Sequence, residues 1–238
     1  MPARPLRSLP ASTRRSSRLV WFFDLDDTLH DASHAIFGVL NRRMTDYVVQ
    51  HLSLDELAAN QLRQTYWHRY GATLLGLMRH HAIDAHHFLR ETHDFDIAAL
   101  MRAERGLAAL FRRLPGRKVL LTNAPDAYAA TVVRELALHR QLPRRYSIES
   151  MRVHGSFRPK PSRAMLRFML ARERCARGQA VLVEDSRANL KAARALGFRT
   201  VLVSPSRRGR GRFNGRASYV DLRIGSVLEL PRALARLR

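Results

Sequence analysis

Short apolar runs alternate along the chain with longer segments whose apolar residues recur every three or four positions. The runs are rich in β-branched and aromatic residues, which predicts strands over residues 19–23, 118–121, 180–183 and 199–203. Their apolar residues are consecutive rather than alternating, so we expect them to be buried on both faces, as in a parallel sheet with helices on either side. The C-terminal stretch YVDLRIGSVLELPRAL predicts one more edge strand and a helix.

Nearly a hundred residues separate the first two predicted strands, far more than one crossover helix requires. They have helical periodicity almost throughout, and SLDELAANQLRQTYWHRYG opens with a predicted capping box from Ser53 to Glu56 and ends near Gly71. We therefore predict an all-helical insertion over residues 33–108 in an α/β core formed by 19–32 and 109–238. Residues 1–18 are predicted to be a disordered basic tail.

The composition is typical of a globular protein, with 238 residues of which 46% are apolar. No apolar run reaches the roughly 18 to 20 residues that cross a bilayer, and the first 19 residues lack the hydrophobic centre of a secretory signal. The single cysteine, Cys175, cannot form an internal disulfide, which agrees with a reducing compartment. We expect a soluble cytoplasmic protein, either monomeric or homodimeric.

The formal net charge of +22 raises the alternative of a nucleic-acid-binding protein. Two segments without any acidic residue, 1–20 and 204–216, each contain five arginines. Arginine makes up 39 of the 42 basic residues, and the charge outside these two segments is spread thinly. Binding of nucleic acid through the basic segments therefore stays a second hypothesis.

Acidic residues follow the first predicted strand directly, in VWFFDLDDTL. Asp24 and Asp26 lie where that strand should end, and a spacing of two along an extended chain directs both side chains to one region. In open α/β sheets, ligands bind at the carboxyl ends of the strands. A divalent cation would offset the mutual repulsion of such a pair.

The next strands also end in polar residues. Thr122 and Asn123 follow the second strand and suit phosphate oxygens, and Glu184 and Asp185 follow the third. Lys160 stands between two prolines at the start of a predicted helix. Each has an ordinary structural interpretation as well: a helix N-cap, a pair of acids favoured by a helix dipole, or a solvated lysine.

Taken in order, DLDDT, LLTN, the lysine of RPKP, and VEDSRAN resemble the four motifs of the haloacid dehalogenase-like hydrolase superfamily. The resemblance spans about residues 19–203. It implies a Rossmann-like parallel sheet with an all-helical cap inserted after the first strand. It also implies an Mg²⁺-dependent enzyme that forms an aspartyl-phosphate.

The resemblance further implies a role for each matching residue. Asp24 would be the nucleophile, and Asp26 the general acid and then the general base. Mg²⁺ would be held by Asp24, the backbone carbonyl of Asp26, and Asp185. The remaining matches are phosphate-binding or supporting residues: Thr122, Asn123 and Lys160 for phosphoryl oxygens, with Glu184 and Asn189 in support.

An acid two positions after the nucleophile is absent from the dehalogenases of this superfamily, so Asp26 indicates a phosphatase or a phosphomutase. A sugar-phosphate phosphatase stays open as well. The stretches TYWHRYGATLLGLMRHHAID and TNAPDAYA resemble the pyrimidine 5'-nucleotidase group, which implies UMP, CMP or a similar small phosphorylated metabolite as the substrate. Tyr66 and Tyr70 lie one helical turn apart and are candidates for stacking on a base, with Arg69 and Arg79 for polar contacts. Packing among the cap helices is the alternative role for these aromatic residues.

Overall fold

A six-stranded parallel sheet forms the centre of the protein. The computed structural model describes residues 19–204 and 217–237, so the predicted basic tail and nearly all of the 204–216 loop lie outside the described residues. The strand order is β3-β2-β1-β6-β7-β8, with β1 paired to β2 on one side and to β6 on the other. The sheet strands are β1 (Val20–Phe23), β2 (Arg117–Leu121), β3 (Arg145–Tyr146), β6 (Ala180–Glu184), β7 (Arg199–Val203) and β8 (Leu222–Ile224).

The four strands predicted from apolar runs are confirmed within one residue at each end, and the C-terminal edge strand is β8. The two-residue strand β3 was not predicted, nor was the small antiparallel hairpin of β4 (Arg152–Val153) and β5 (Ser156–Phe157). These three strands are too short to give an apolar run that separates them from a loop.

Both faces of the sheet are covered, as continuous apolar strands require. Trp21 and Phe23 point into one hydrophobic cluster, and Val20 and Phe22 into the other. Helix α6 (Leu107–Arg113) comes directly before β2. The helices after β2 are α7 (Asp126–Glu135), α8 (Arg163–Arg172), α9 (Arg187–Arg194) and α10 (Leu230–Ala233). The fold is therefore the predicted doubly covered α/β core.

Five further helices precede α6 and lie between β1 and β2: α1 (Ile36–Leu52), α2 (Glu56–Tyr70), α3 (Thr73–His81), α4 (Ala85–His93) and α5 (Ile97–Leu100). The first four share a hydrophobic cluster of their own, which also includes Ile148 and Phe157 of the core. An all-helical cap after the first strand is thus present, and it rests on the loop and hairpin that follow β3.

The predicted cap boundary at residue 108 falls inside α6. The buried face of α6 belongs to the core cluster, where the rings of Phe111 and Phe23 have centroids 4.6 Å apart. Ile97 of α5 packs in the same cluster. The division of the chain at residues 33 and 108 stays a prediction.

The predicted capping box from Ser53 to Glu56 is wrong. Asp55 is the N-cap of α2, where its side chain accepts a hydrogen bond from Ala58 N, and Ser53 ends the preceding helix in a left-handed conformation. Gly71 ends α2 with φ of 81°, as predicted, because glycine adopts positive φ without steric cost. Across the described part of the chain, no helix is both long and apolar enough to span a membrane.

Candidate active site

The carboxyl ends of three neighbouring strands bring the predicted polar residues to one edge of the sheet. Asp24 follows β1, Thr122 follows β2, Glu184 is the last residue of β6, and Asp185 comes next. The backbone N–H of Asp24 donates to the carbonyl of Val183, which fixes the chain after β1 against β6. The polar residues therefore meet at the centre of the sheet, where β1 has a neighbour on each side.

Lys160 reaches this edge from the loop before α8 and is 3% exposed. Its ammonium lies 2.5 Å from Asp24 Oδ1 and 2.8 Å from Glu184 Oε2. Burial alone would lower the pKa of Lys160, but the two carboxylates outweigh burial and raise that pKa above its usual value. The lysine is therefore a fixed positive charge between two carboxylates.

Three carboxylates lie together at this edge, and two of them contact the ammonium of Lys160, so acidic groups outnumber basic groups in the centre. Ligand atoms of Asp24, Glu184 and Asp185 all lie within 4.8 Å of one another. Burial raises the pKa of Asp24 to about 8, with the negative charge of Glu184 adding to the shift and Lys160 opposing it. Burial followed by the charge of Asp24 raises the pKa of Asp185 to about 6.

This donor set fits a hard divalent cation. Carboxylate oxygens are the ligands that such cations prefer, and a second positive charge would favour the ionised carboxylates, which burial and then mutual repulsion disfavour. Glu184, predicted to have a supporting role, lies inside the acidic group. The carboxylate of Asp26 does not belong to this group, so of Asp26 only the backbone carbonyl remains as a predicted ligand.

Glu184 is held by several neighbours. Asn189, on α9, donates from Nδ2 to Glu184 Oε2 at 3.0 Å, and the backbone N–H of Ser186 donates to Oε1 at 3.2 Å. Asn189, predicted to be a supporting residue, therefore contacts the acidic group through Glu184. The same oxygen of Glu184 accepts from Lys160, so Asn189 and Lys160 act on one side of the carboxylate.

Asn123 does not present its amide to the acidic centre. Its Nδ2 donates to the carbonyl of Lys160 at 3.0 Å, and its Oδ1 accepts from the Lys160 N–H at 2.9 Å. The amide thus binds the backbone of the lysine loop through both its nitrogen and its oxygen, and the contact of Asn123 with phosphoryl oxygens stays a prediction. Thr122 is buried beside it, and its hydroxyl accepts from Ala124 N, a bond that does not use the hydroxyl hydrogen.

The other residues of the DLDDT motif have separate tasks. Thr28 donates from its hydroxyl to Asp24 Oδ2 at 3.2 Å, so both oxygens of Asp24 have a hydrogen-bond donor. Asp27, with φ of 61°, accepts hydrogen bonds from the backbone N–H and the hydroxyl of Ser33. Asp27 therefore holds the turn that leads from β1 into the cap.

Asp26 has two partners that sequence reasoning missed. Tyr128, on α7, donates to Asp26 Oδ1 at 2.6 Å, and His30 Nε2 lies 2.9 Å from the same oxygen. His30 is four residues from Asp26, a spacing that could have drawn attention to it. Tyr128 is 102 residues away, and nothing local marks it.

Only some of the predicted cap residues face outward. Tyr66 is 8% exposed, its hydroxyl pairs with His81 Nε2 at 2.7 Å, and its ring packs so closely on α3 that a Cβ at Gly76 would lie 2.1 Å from its Cγ. Tyr66 thus packs α2 against α3, the alternative role predicted for it, and its contact with substrate stays a prediction. The packing also explains the glycine at position 76.

Tyr70 is half-buried, and its hydroxyl pairs with His80 Nε2 at 2.6 Å. The guanidinium carbons of Arg69 and Arg79 lie 5.5 and 5.9 Å from the centroid of its ring. Gly71 follows Tyr70, and a Cβ at Gly71 would lie 3.8 Å from Cδ of Pro161. Pro161 is the residue after Lys160. Tyr70 and its two arginines are therefore on the end of the cap that meets the lysine loop.

Fold and site together define an α/β protein of the doubly wound class with a carboxylate and lysine centre at a topological switch point, covered by a helical cap. The family model described as haloacid dehalogenase-like hydrolase matches residues 21–203. The chain therefore belongs to the haloacid dehalogenase-like hydrolases.

Solved structures share the fold at low sequence identity. A HAD phosphatase from Thermococcus onnurineus is 17% identical with a TM-score of 0.59, and the similarity covers 91% of this chain and 97% of that one. CbbY from Rhodobacter sphaeroides, solved in complex with phosphate, is 20% identical with a TM-score of 0.59, covering 89% and 95%. At these identities the comparison establishes the fold alone.

One curated relative is similar over a shorter stretch. Phosphate metabolism protein 8 of Saccharomyces cerevisiae is 29% identical over 68 residues. The match spans 29% of this chain and 21% of the yeast protein.

Proposed function

We propose that this hydrolase is an Mg²⁺-dependent phosphomonoesterase that acts through an aspartyl-phosphate on Asp24. The observation that carries the proposal is the position of Lys160, whose ammonium contacts Asp24 and Glu184 beside Asp185. The carboxylate of Asp26 lies apart from this group and is bound to Tyr128. Two aspartates of one motif thus have different surroundings, as a nucleophile and an acid–base residue require.

The acidic group supplies the ligands for the metal. Asp24, Asp185 and the backbone carbonyl of Asp26 would hold Mg²⁺, with Glu184 next to them. When bound, this cation neutralises charge on the phosphoryl oxygens and on the nucleophile.

In the first half of the reaction, an oxygen of Asp24 forms a bond to phosphorus while the ester P–O bond breaks. Asp26 gives its proton to the departing oxygen, which leaves as an alcohol. Lys160 stays within hydrogen-bond distance of Asp24 and offsets negative charge as the group is transferred.

In the second half, water attacks the phosphorus of the aspartyl-phosphate. Asp26, now a carboxylate, accepts a proton from that water, and the bond between phosphorus and the Asp24 oxygen breaks. Inorganic phosphate leaves, Asp24 is a free carboxylate again, and Asp26 is protonated for the next cycle.

We propose a pyrimidine nucleoside 5'-monophosphate, UMP or CMP, as the substrate. Tyr70 offers an aromatic ring at the end of the cap nearest the lysine loop, and Arg69 and Arg79 lie beside that ring. A base that stacks on Tyr70 would take the place of one guanidinium, which would then be free for polar contacts with the nucleotide. The similarity to a yeast phosphate metabolism protein and to a structure in complex with phosphate supports a phosphorylated substrate.

Phosphate release from a panel of esters tests the proposal. The panel contains UMP, CMP, dUMP, AMP, glucose 1-phosphate and p-nitrophenyl phosphate, each with Mg²⁺ or with EDTA. We expect turnover that requires Mg²⁺, is strongest on UMP or CMP, and disappears in Asp24→Asn. Asp55→Asn is the matched control, because asparagine caps a helix as well as aspartate does and Asp55 is an exposed N-cap.

The outcomes separate the mechanism from the substrate. A preference for glucose 1-phosphate, or activation of turnover by a bisphosphorylated sugar, would keep the aspartyl-phosphate and discard the nucleotide. No metal-dependent release from any ester would overturn the phosphomonoesterase. Salt-sensitive binding of nucleic acid that survives Asp24→Asn would then favour the second hypothesis raised by the net charge.

A further inference from the structure

Both side-chain partners of Asp26 contact the same carboxylate oxygen, Oδ1. Tyr128 OH is 2.6 Å from Oδ1 and His30 Nε2 is 2.9 Å from the same atom. A carboxylate oxygen has two lone pairs, so these two contacts occupy Oδ1 completely.

Tyr128 is a hydrogen-bond donor to Asp26. Its ring is buried on α7, and its hydroxyl lies 2.6 Å from Asp26 Oδ1. Because a neutral phenol at 2.6 Å from a carboxylate oxygen donates, the orientation of this bond is fixed.

His30 is a donor as well. Its side chain is fully buried, and Nδ1 has no hydrogen-bond partner among the described residues. Because a carboxylate oxygen only accepts hydrogen bonds, the 2.9 Å contact requires a hydrogen on Nε2. Nε2 therefore donates to Asp26.

The cap supports the tyrosine from the other side. His93, the last residue of α4, packs edge-on against the ring of Tyr128 with centroids 5.7 Å apart. Its Nδ1 lies 3.0 Å from the carbonyl of Leu89, which fixes the plane of the imidazole. The ring that orients Asp26 is thus held between the core helix α7 and the cap.

We propose that Tyr128 and His30 are positioning residues that hold Oδ1 of Asp26, so that Oδ2 is the oxygen that exchanges a proton with the leaving group and with water. This inference rests on the proposed function and deepens it. With Oδ1 occupied by two donors, a proton on Asp26 resides on Oδ2, and rotation of the carboxyl group would break both hydrogen bonds. The cap contributes through His93, which keeps the phenol in place.

Esters with different leaving groups distinguish a positioning role of Tyr128 from a purely structural one. The value of kcat/KM reports the steps up to departure of the alcohol, and an alkyl oxygen needs a proton from Asp26, whereas p-nitrophenolate does not. We expect Tyr128→Phe to lower kcat/KM about 10- to 100-fold on the best alkyl ester of the panel and less than about 3-fold on p-nitrophenyl phosphate. Mg²⁺ dependence should be unchanged.

Tyr146→Phe is the matched control. Tyr146 is also buried, and its hydroxyl donates to a carboxylate, Glu173 Oε1, at the same 2.6 Å, but this pair lies at β3 and the end of α8. We expect equal, small changes on both esters in this variant. An equal loss on both esters in Tyr128→Phe, or no loss on either, would overturn the inference.

Variants of His30 provide a second, independent test. His30→Gln places an amide N–H near the position of Nε2, whereas His30→Leu supplies no donor. We expect the glutamine variant to keep the wild-type ratio of kcat/KM on the alkyl ester to kcat/KM on p-nitrophenyl phosphate, and the leucine variant to lower that ratio as Tyr128→Phe does, with folding of both checked by thermal melting. A ratio that is lowered equally in both folded variants, or unchanged in both, would refute the donor role. A wild type that hydrolyses no ester would refute the proposed function, and this inference with it.

Discussion

His93 connects the cap to the site, and its burial gives a measurable pH dependence of stability. Burial lowers the pKa of His93 to about 4, against a smaller opposing effect of its hydrogen bond to Leu89. The unfolded chain binds a proton at this histidine below about pH 6.5, whereas the folded protein does not bind it until about pH 4. The unfolded state therefore binds more protons in that window, and stability falls as the pH is lowered from 6.5 to 4.

The size of the effect follows from the two pKa values. A difference of about 2.5 pKa units corresponds to about 3 kcal/mol once the pH is below both values. At pH 5 about 2 kcal/mol of this is already lost, while at pH 7.5 the histidine is neutral in both states and contributes almost nothing.

Urea unfolding at pH 7.5 and pH 5 tests this value for the wild type and for His93→Asn, whose side chain keeps a donor near the position of Nδ1. We expect the free energy of unfolding to fall by about 2 kcal/mol less in the variant than in the wild type between the two pH values. His139→Asn, at an exposed position, is the matched control and should follow the wild type within about 0.5 kcal/mol. Parallel losses in the wild type and His93→Asn would refute the reasoning.

Three further predictions concern the cap, the lysine loop and the metal. Gly76→Ala should destabilise the protein by about 2 kcal/mol or more, because its Cβ would overlap an aromatic ring, whereas Gly38→Ala, in open space on α1, should be neutral or stabilising by up to about 1 kcal/mol in thermal melts. Asn123→Ala should lower kcat about 10- to 100-fold, because both hydrogen bonds to the backbone of Lys160 are lost. Mg²⁺ at about 100 times its Kd should stabilise the wild type by about 2.7 kcal/mol, and Asp185→Asn should abolish that stabilisation.

Each of these has an outcome that would contradict it. Equal melting temperatures for the two glycine variants would show that α2 and α3 do not pack as described. An Asn123→Ala enzyme with wild-type kcat would show that the lysine loop holds its geometry without the amide. Mg²⁺ stabilisation that persists in Asp185→Asn, but is lost in Glu184→Gln, would transfer the ligand role from one acid to the other.

The sheet and the residues at its strand ends were predictable from local patterns. An apolar run buried on both faces is a property of four or five consecutive residues, and parallel pairing then brings the carboxyl ends to one edge. Asp24, Glu184 and Asp185 meet there for this reason alone. Their proximity needs no knowledge of side-chain packing.

The contacts of the two tyrosines and of Asn123 depend on packing that no local pattern contains. Tyr66 and Tyr70 are one turn apart on the same helix, yet the turn to α3 buries the first and leaves the second half-exposed. Asn123 comes directly after Thr122 at the end of β2, but the course of the lysine loop, 37 residues later, decides what its amide binds. Sequence spacing predicts which residues approach the site, while the packing of distant segments decides which atoms they present.

The pair of aspartates shows this division most clearly. A spacing of two brings both to the strand end, but it gives them no difference in environment. Lys160 and Glu184 lie beside Asp24, and Tyr128 and His30 lie beside Asp26, so the difference comes from three separate segments of the chain and from the turn after β1. Since distinct surroundings are what divides acid from nucleophile, the chemical asymmetry of the motif is a property of the folded protein rather than of the motif itself.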